Sequence, residues 1–282
     1  MISVARKIRR EERRTLGFVP TMGALHEGHL SLVREARAMC DVVVVSIFVN
    51  PTQFGPQEDF NKYPRDLTRD ASLLAEYNID YVFAPAVREL FPPDFSTYVT
   101  VEGLSEQLEG ASRPGHFRGV ATVVAILLNV VRPDFAFFGQ KDGQQAAIIK
   151  RMVRDLAFDC EVVVMPIVRE QSGLAMSSRN EYLDDSERRA AVELSQALRE
   201  AQQAFAAGER DGNQLVEIVR SNLQKQPMIR LDYVSVNDAE TFEKVETIEE
   251  RPVLVSLAAY VGKTRLIDNV ILKQAEAAVA RI

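Results

Sequence analysis

Asp41 opens the run Val42-Val43-Val44-Val45-Ser46-Ile47-Phe48-Val49, almost unbroken in apolar and mostly β-branched side chains. Successive side chains of a strand point to opposite faces, so a strand that is apolar at every position needs cover on both. That requirement excludes a one-sided antiparallel sheet and calls for a parallel sheet between two layers of helices. The flanking sequence supplies those helices. Strands are expected at Leu16–Val19, Ile79–Ala84, Phe135–Phe138 and Cys160–Met165, with a further candidate at Ser96–Val101. Helical spacing marks Gly28–Met39, Asp66–Tyr77, Val120–Val131 and Gln144–Leu156, and Arg132-Pro133-Asp134 stops the third of these. Strand and helix patterns in alternation specify βαβ units with right-handed crossovers.

The character changes near Arg169–Asn180. A long charged amphipathic helix is expected over Asp184–Ala207, capped by Asp184 or Ser186, and a second helix over Asn213–Gln224. Leu231–Val236, Val253–Tyr260 and Thr264–Leu272 read as strands, with a turn at Gly262. The chain therefore divides into an α/β domain at 1–168 and a small α+β domain at 169–282, jointed at Gln171-Ser172-Gly173.

Parallel sheets bind ligands at the carboxyl ends of their strands. Four loops fall there: Thr21–His29, Asn50–Gly55, Gly139–Gln145 and Arg169–Asn180. The first carries two of the chain's three histidines. It is a strand–turn–helix junction, where unpaired N–H groups and the helix dipole favour phosphate. Gly23 and Gly28 allow the backbone close to a ligand, and His26 and His29, three apart, share one side of the first helical turn. The plainer readings are incidental histidines or a metal site, but no Cys, Asp or further His completes a ligand set.

In the second loop Pro51 ends the strand, and Asn50 and Gln53 present neutral amides suited to a carboxylate or hydroxyl. In the third, Lys141 supplies a positive charge and Asp142 an acceptor or a helix cap, while Gln145 can face the same cleft as Gln53. In the fourth, Ser177, Ser178 and Arg179 follow Gly173 as a phosphate-gripping flap. Taken singly, each is also an ordinary turn or capped helix start. Together on one sheet they suggest adenylyl transfer, which needs positioned charge rather than a covalent nucleophile.

The net charge is 34 − 40 = −6, which argues against nucleic acid as a partner. The longest apolar run, Val120–Val131, is too short to span a membrane and is broken by Asn129. Met1–Arg14 is charged, unlike a secretory signal. Cys40 and Cys160 sit apart beside strands, expected as buried inert thiols in a reducing cytoplasm.

Pro20–Leu30, Phe48–Phe54, Arg113-Pro114-Gly115-His116-Phe117, Phe138–Gln145, Gly173–Asn180 and Arg265-Leu266-Ile267-Asp268-Asn269 together resemble the pantoate–β-alanine ligase (pantothenate synthetase) family of the HxGH nucleotidyltransferases, collinearly from about residue 15 to 272. The resemblance implies a Rossmann-like domain, a small C-terminal lid domain and a homodimer. It also implies a two-step reaction with Mg²⁺ present: pantoate and ATP give a pantoyl adenylate and pyrophosphate, and β-alanine then displaces AMP. Carried over, Met22, Gly23, Ala24, Leu25, His26, Glu27, Gly28 and His29 line the ATP site, joined by Gly139, Gln140, Lys141, Asp142, Val168, Met176, Ser177, Ser178 and Arg179. His29, assisted by His26, donates to the reacting phosphate, and Lys141 and Arg179 supply positive charge. Gln53 contacts pantoate and β-alanine, Gln145 contacts pantoate, and Asn50 belongs to the same substrate pocket. Neutral amides suit this pocket, because a strong cation would blunt the attacking carboxylate. His116 is expected to make a structural hydrogen bond only. Asp59 and Asp70 are conceivable metal ligands that nothing singles out. The competing readings are another HxGH-type transferase acting on a phosphate, and a nucleotide-binding protein without turnover.

Overall fold

The computed structural model describes residues 1–8, 14–56 and 58–274; positions 9–13 of the charged opening segment and the last residues of the expected second domain, 275–282, lie outside them. The chain forms two units. The first comprises residues 1–170 together with Met176–Ser178, and the second comprises Gln171–Ala175 and the chain from Arg179 onward. The division thus falls two residues later than the expected 168/169 boundary, and three residues of the fourth loop go with the first unit. Two hydrogen bonds explain their place: Met176 N–H donates to the Val168 carbonyl at 3.0 Å, and Ser178 Oγ donates to the Ala24 carbonyl at 3.2 Å.

In the first unit a short helix α1 (Ile2–Arg6) precedes β1 (Leu16–Thr21), α2 (Glu27–Met39), β2 (Val42–Ile47), α3 (Leu67–Ala75), β3 (Tyr81–Phe83), α4 (Val87–Leu90), α5 (Glu109–Ser112), α6 (His116–Val131), β4 (Phe135–Gly139), α7 (Gly143–Asp155) and β5 (Glu161–Met165). The strands form a parallel sheet in the order β3-β2-β1-β4-β5. Val42 to Val45 are all at most 1 % exposed, as a strand covered on both faces requires.

β1 and β2 stay in register from Leu16↔Val42 to Thr21↔Ile47. β1 and β4 pair only at Gly17↔Phe135 and Phe18↔Ala136. The two strands part before their carboxyl ends, at the point where the strand order reverses. A crevice at such a switch point is where open α/β sheets hold ligands.

Three expectations need correction. Ser96–Val101 is not a strand. Val99 N–H donates to Thr122 Oγ1 at 2.9 Å and the Arg118 guanidinium lies 3.6 Å from the centre of the Tyr98 ring, so side chains of α6 hold this segment in place of a ladder. α6 begins four residues before the expected Val120, at His116, behind Gly115 in the left-handed region at φ 84°. Cys40 is buried, but Cys160 is only half-buried.

In the second unit α8 (Asp185–Ala206) and α9 (Gly212–Gln224) pack on an antiparallel sheet, β6 (Ile229–Asp238), β7 (Val253–Val261) and β8 (Thr264–Leu272), with β7 central. Leu194, Leu198, Leu215, Val219, Val255 and Leu257 lie in its core. Asp184 is the cap of α8: its Oδ1 accepts from Ser186 N and Glu187 N, each at 2.8 Å. A bond set of this kind satisfies two of the helix's unpaired first-turn N–H groups.

Candidate active site

β1 delivers the chain at Thr21 into the turn that starts α2, and local chemistry fixes that turn. Thr21 Oγ1 donates to the Ser46 carbonyl at 2.7 Å, tying the end of β1 to β2. Ala24 has φ 50°, a region that costs a non-glycine residue roughly 1 kcal/mol or more. A single buried carboxylate holds it there. Asp70, 1 % exposed in the first turn of α3, accepts from Ala24 N at 2.9 Å and from Leu25 N at 2.8 Å. In the sequence alone Asp70 stands out only as a conceivable metal ligand. The overlooked signal is helical: Asp70 shares a face of α3 with the buried Leu74, one turn on.

His26 caps α2. Its Nδ1 accepts from Gly28 N at 3.1 Å, and its own N–H points to His29 Nδ1 at 3.4 Å. A Cβ on Gly28 would lie 2.9 Å from His26 Cε1, so this cap needs glycine two residues on. The two imidazole rings stand 4.1 Å apart between centres, tilted by 36°. With each Nδ1 facing an N–H, each neutral ring carries its proton on Nε2. Burial, then the charge of Lys141, pushes His26 down to about 4. Burial, then His26 and Lys141, holds His29 well below the usual histidine range. At neutral pH the turn therefore presents two uncharged Nε2–H donors near a lysine, rather than two imidazolium ions.

Lys141 lies on a short 3₁₀ turn, Gln140–Asp142, between Gly139 at the end of β4 and the start of α7; its Nζ is 3.9 Å from Asp142 Oδ1. Its effect on both histidines brings the first and third loops into one electrostatic site. Glu27 pairs with Arg34 on the outer side of α2. Ser178 closes over the turn through its bond to the Ala24 carbonyl, with Tyr63 Oη 3.5 Å from the same hydroxyl. Met176 Cβ sits 3.6 Å from where a Cβ on Gly28 would be. Arg179 belongs to the second unit.

The second loop differs from its expected form. Asn50 is 1 % exposed and its amide is engaged throughout: Oδ1 accepts from Thr52 N and Thr52 Oγ1, and Nδ2 donates to the Gly119 carbonyl and to Gln53 Oε1, both at 3.1 Å. It orients Gln53 rather than presenting an amide of its own. Gln53 Nε2 in turn lies 3.1 Å from Met22 Sδ, joining this loop to the histidine turn. On α7 the two glutamines part. Gln144 is buried, accepting from Glu109 N and donating to the Leu104 and Gln107 carbonyls, whereas Gln145 remains half-buried. His116 makes the expected hydrogen bond, through Nδ1 to the Gln53 carbonyl at 2.8 Å.

A parallel sheet with a reversal point, paired neutral histidines at a helix start and a lysine across the crevice define an α/β nucleotide-handling enzyme. The family model described as Pantoate-beta-alanine ligase matches residues 1–271. A pantothenate synthetase of Acidobacterium capsulatum is 60% identical over 265 residues, covering 94% of this chain and 88% of that one. One of Thermotoga neapolitana is 58% identical over 263 residues, covering 93% and 94%. The crystal structure of pantothenate synthetase from Thermus thermophilus superposes with a TM-score of 0.89 at 45% identity, covering 96% of this chain and 97% of that one. That of pantoate-beta-alanine ligase from Francisella tularensis, complexed with beta-gamma ATP and beta-alanine, does so at 0.77 and 34% identity, covering 96% and 95%. The chain belongs to the pantoate–β-alanine ligase family.

Proposed function

We propose that this chain condenses pantoate with β-alanine, using ATP and passing through a pantoyl adenylate. Membership of the family over residues 1–271 carries the overall reaction; the histidine turn carries the assignment of roles. A carboxylate oxygen of pantoate attacks the α-phosphorus of ATP as the bond to the pyrophosphate oxygen breaks. The β-alanine amine then attacks the acyl carbon, the acyl–oxygen bond to AMP breaks, and the amine loses a proton.

In this scheme His29 and His26 donate Nε2–H bonds to the phosphate as negative charge spreads over it, and Lys141 adds a positive charge nearby. Because both rings are held neutral, neither gives up a proton to the carboxylate that must attack. Met22, Gly23, Ala24, Leu25, Glu27, Gly28, Gly139, Gln140, Asp142, Val168, Met176, Ser177, Ser178 and Arg179 complete the proposed ATP site. Gln53 and Gln145 hold pantoate, and Gln53 also meets β-alanine. Asn50 acts through Gln53.

Mg²⁺ is read as arriving on the ATP polyphosphate, where it keeps several waters. Among the described residues no group of three His, Cys, Asp or Glu could hold a metal ion, and the Asp70 carboxylate already accepts from two amides. No helix among the described residues is long and apolar enough to cross a membrane. That Cys40 and Cys160 both stand as thiols supports a reducing, cytoplasmic setting. The family resemblance supports a homodimer, testable by light scattering as twice the 31.6 kDa chain mass.

Pantoate-dependent ATP–pyrophosphate exchange without β-alanine tests the adenylate step. Exchange that requires pantoate is the expected result. Exchange indifferent to pantoate, or none despite bound ATP, refutes it.

A further inference from the structure

The first turn of α6 grips the Asn50–Phe54 turn from below, through residues that the proposed mechanism leaves unused. Arg113, just ahead of α6, forms a two-pronged pair with Glu58: Nε to Oε1 at 2.8 Å and Nη2 to Oε2 at 2.6 Å. Its Nη1 lies 3.1 Å from His116 Nε2, and its Nη2 reaches the Gln53 carbonyl at 3.4 Å. His116 Nδ1 meets the same carbonyl at 2.8 Å. A carbonyl only accepts and a guanidinium only donates. The ring is therefore fixed in one tautomer, with its proton on Nδ1 and its lone pair on Nε2 toward Arg113. Protonating Nε2 would set one cation against another. Burial, then the Arg113 charge, accordingly pushes His116 down to about 4.

Two donors thus converge on one backbone carbonyl, that of Gln53. Gly119, one turn into α6, lets the helix backbone come in directly: a Cβ there would lie 2.3 Å from the Thr52 carbonyl oxygen and 2.7 Å from Gln53 N. Asn50 takes the Gly119 carbonyl with one N–H and Gln53 Oε1 with the other. Main chain and side chain of Gln53 are both set from this platform, and its Nε2 is left aimed at Met22 Sδ. A displacement of about 1 Å at a substrate-orienting group can lower a rate about 100-fold.

We propose that Glu58, Arg113 and His116 are positioning residues for pantoate: they fix the Gln53 carbonyl, and so the reach of its side-chain amide, without touching substrate. The inference rests on the reading of Gln53 as a pantoate contact. The test is steady-state kinetics and melting of His116→Ala, His116→Asn, Glu58→Gln, Gln53→Ala and the Gln53→Ala/His116→Ala double variant.

His116→Ala is expected to raise the pantoate KM by about tenfold and to leave the ATP KM within about twofold. His116→Asn, which keeps a donor near the Nδ1 position, recovers most of that loss. Glu58→Gln, at a site a quarter exposed, gives a smaller effect in the same direction and carries the test if His116→Ala fails to fold. The double variant matches Gln53→Ala alone, because a clamp on an absent amide has nothing to position. Equal rises in both KM values, no recovery in His116→Asn, or additive losses in the double variant would overturn the clamp. Gln53→Ala with an unchanged pantoate KM would remove the reading of Gln53 itself. An impaired Gln53→Ala beside a silent, folded His116→Ala would leave that reading standing and refute the clamp alone.

Discussion

Replacing Asp70 by Asn changes one atom of a buried group, and its consequences can be worked out from the turn it holds. Asp70 accepts two backbone N–H groups, from Ala24 at 2.9 Å and Leu25 at 2.8 Å. Asn keeps one acceptor and turns an NH₂ donor toward the other N–H. One hydrogen bond to a charged group is lost, worth about 1.5–3 kcal/mol, and a buried donor is left unpaired. Because these overlap, the total is about 2–4 kcal/mol. For a protein of this size that lowers the melting temperature by roughly 3–7 °C. The turn at Ala24, held at φ 50°, relaxes and carries His26 with it, so exchange activity should fall by about 100-fold. Calorimetry and pantoate-dependent ATP–pyrophosphate exchange measure the two effects. Asp66→Ala is the control: Asp66 caps the same helix through Arg69 N at 2.9 Å but does not touch the turn. It should lose about 1 kcal/mol and keep its activity. An Asp70→Asn protein that melts with the parent and exchanges at its rate, or an Asp66→Ala protein equally inactive, would refute the idea that this carboxylate holds the site.

The paired histidines yield further expectations. His29→Ala should retain ATP binding by calorimetry while losing adenylylation by about 100-fold or more; near-parental turnover contradicts its role. Lys141→Met should let the His26 titration, followed by NMR, rise from about 4 toward the ordinary 6.5 but remain below it, since burial is the larger cause. His26, His29 and His116 are all held low, so the unfolded chain binds protons first as pH falls through 6.5, and stability must decline from there toward about 4. Melting temperatures flat between about pH 6.5 and 5 would contradict this. Thiol labelling should reach half-buried Cys160 before Cys40, whose burial pushes it up to about 11; the reverse order contradicts the burial of Cys40.

Local patterns were legible in the sequence, and distant contacts were not. The Val42–Val45 run declares a two-sided strand because burial on both faces leaves no polar position. His26 and His29 lie three apart on one helical turn, so their juxtaposition follows from helix geometry. Asp70 acts on residues more than forty positions away, and its buried partners are backbone amides that leave no mark in composition. Asn50 and Gln53 look alike as exposed amides in a turn, yet the close approach of α6 at Gly119 buries one and aims the other. Ser96–Val101 has strand composition, but Arg118 and Thr122 hold it against a helix instead of a sheet.

Met176–Ser178 also governs how this chain can be taken apart. After Glu170 the polypeptide leaves the first unit, returns for three residues, and departs again at Arg179. The Ser178 hydroxyl meets a carbonyl 154 positions earlier in the chain. A ribosome that has released only the first 170 residues has therefore not yet supplied the stitch over the histidine turn. No single cut frees either unit whole: severing after Glu170 strips the first of its closing stitch, and severing after Ser178 strands Gln171–Ala175.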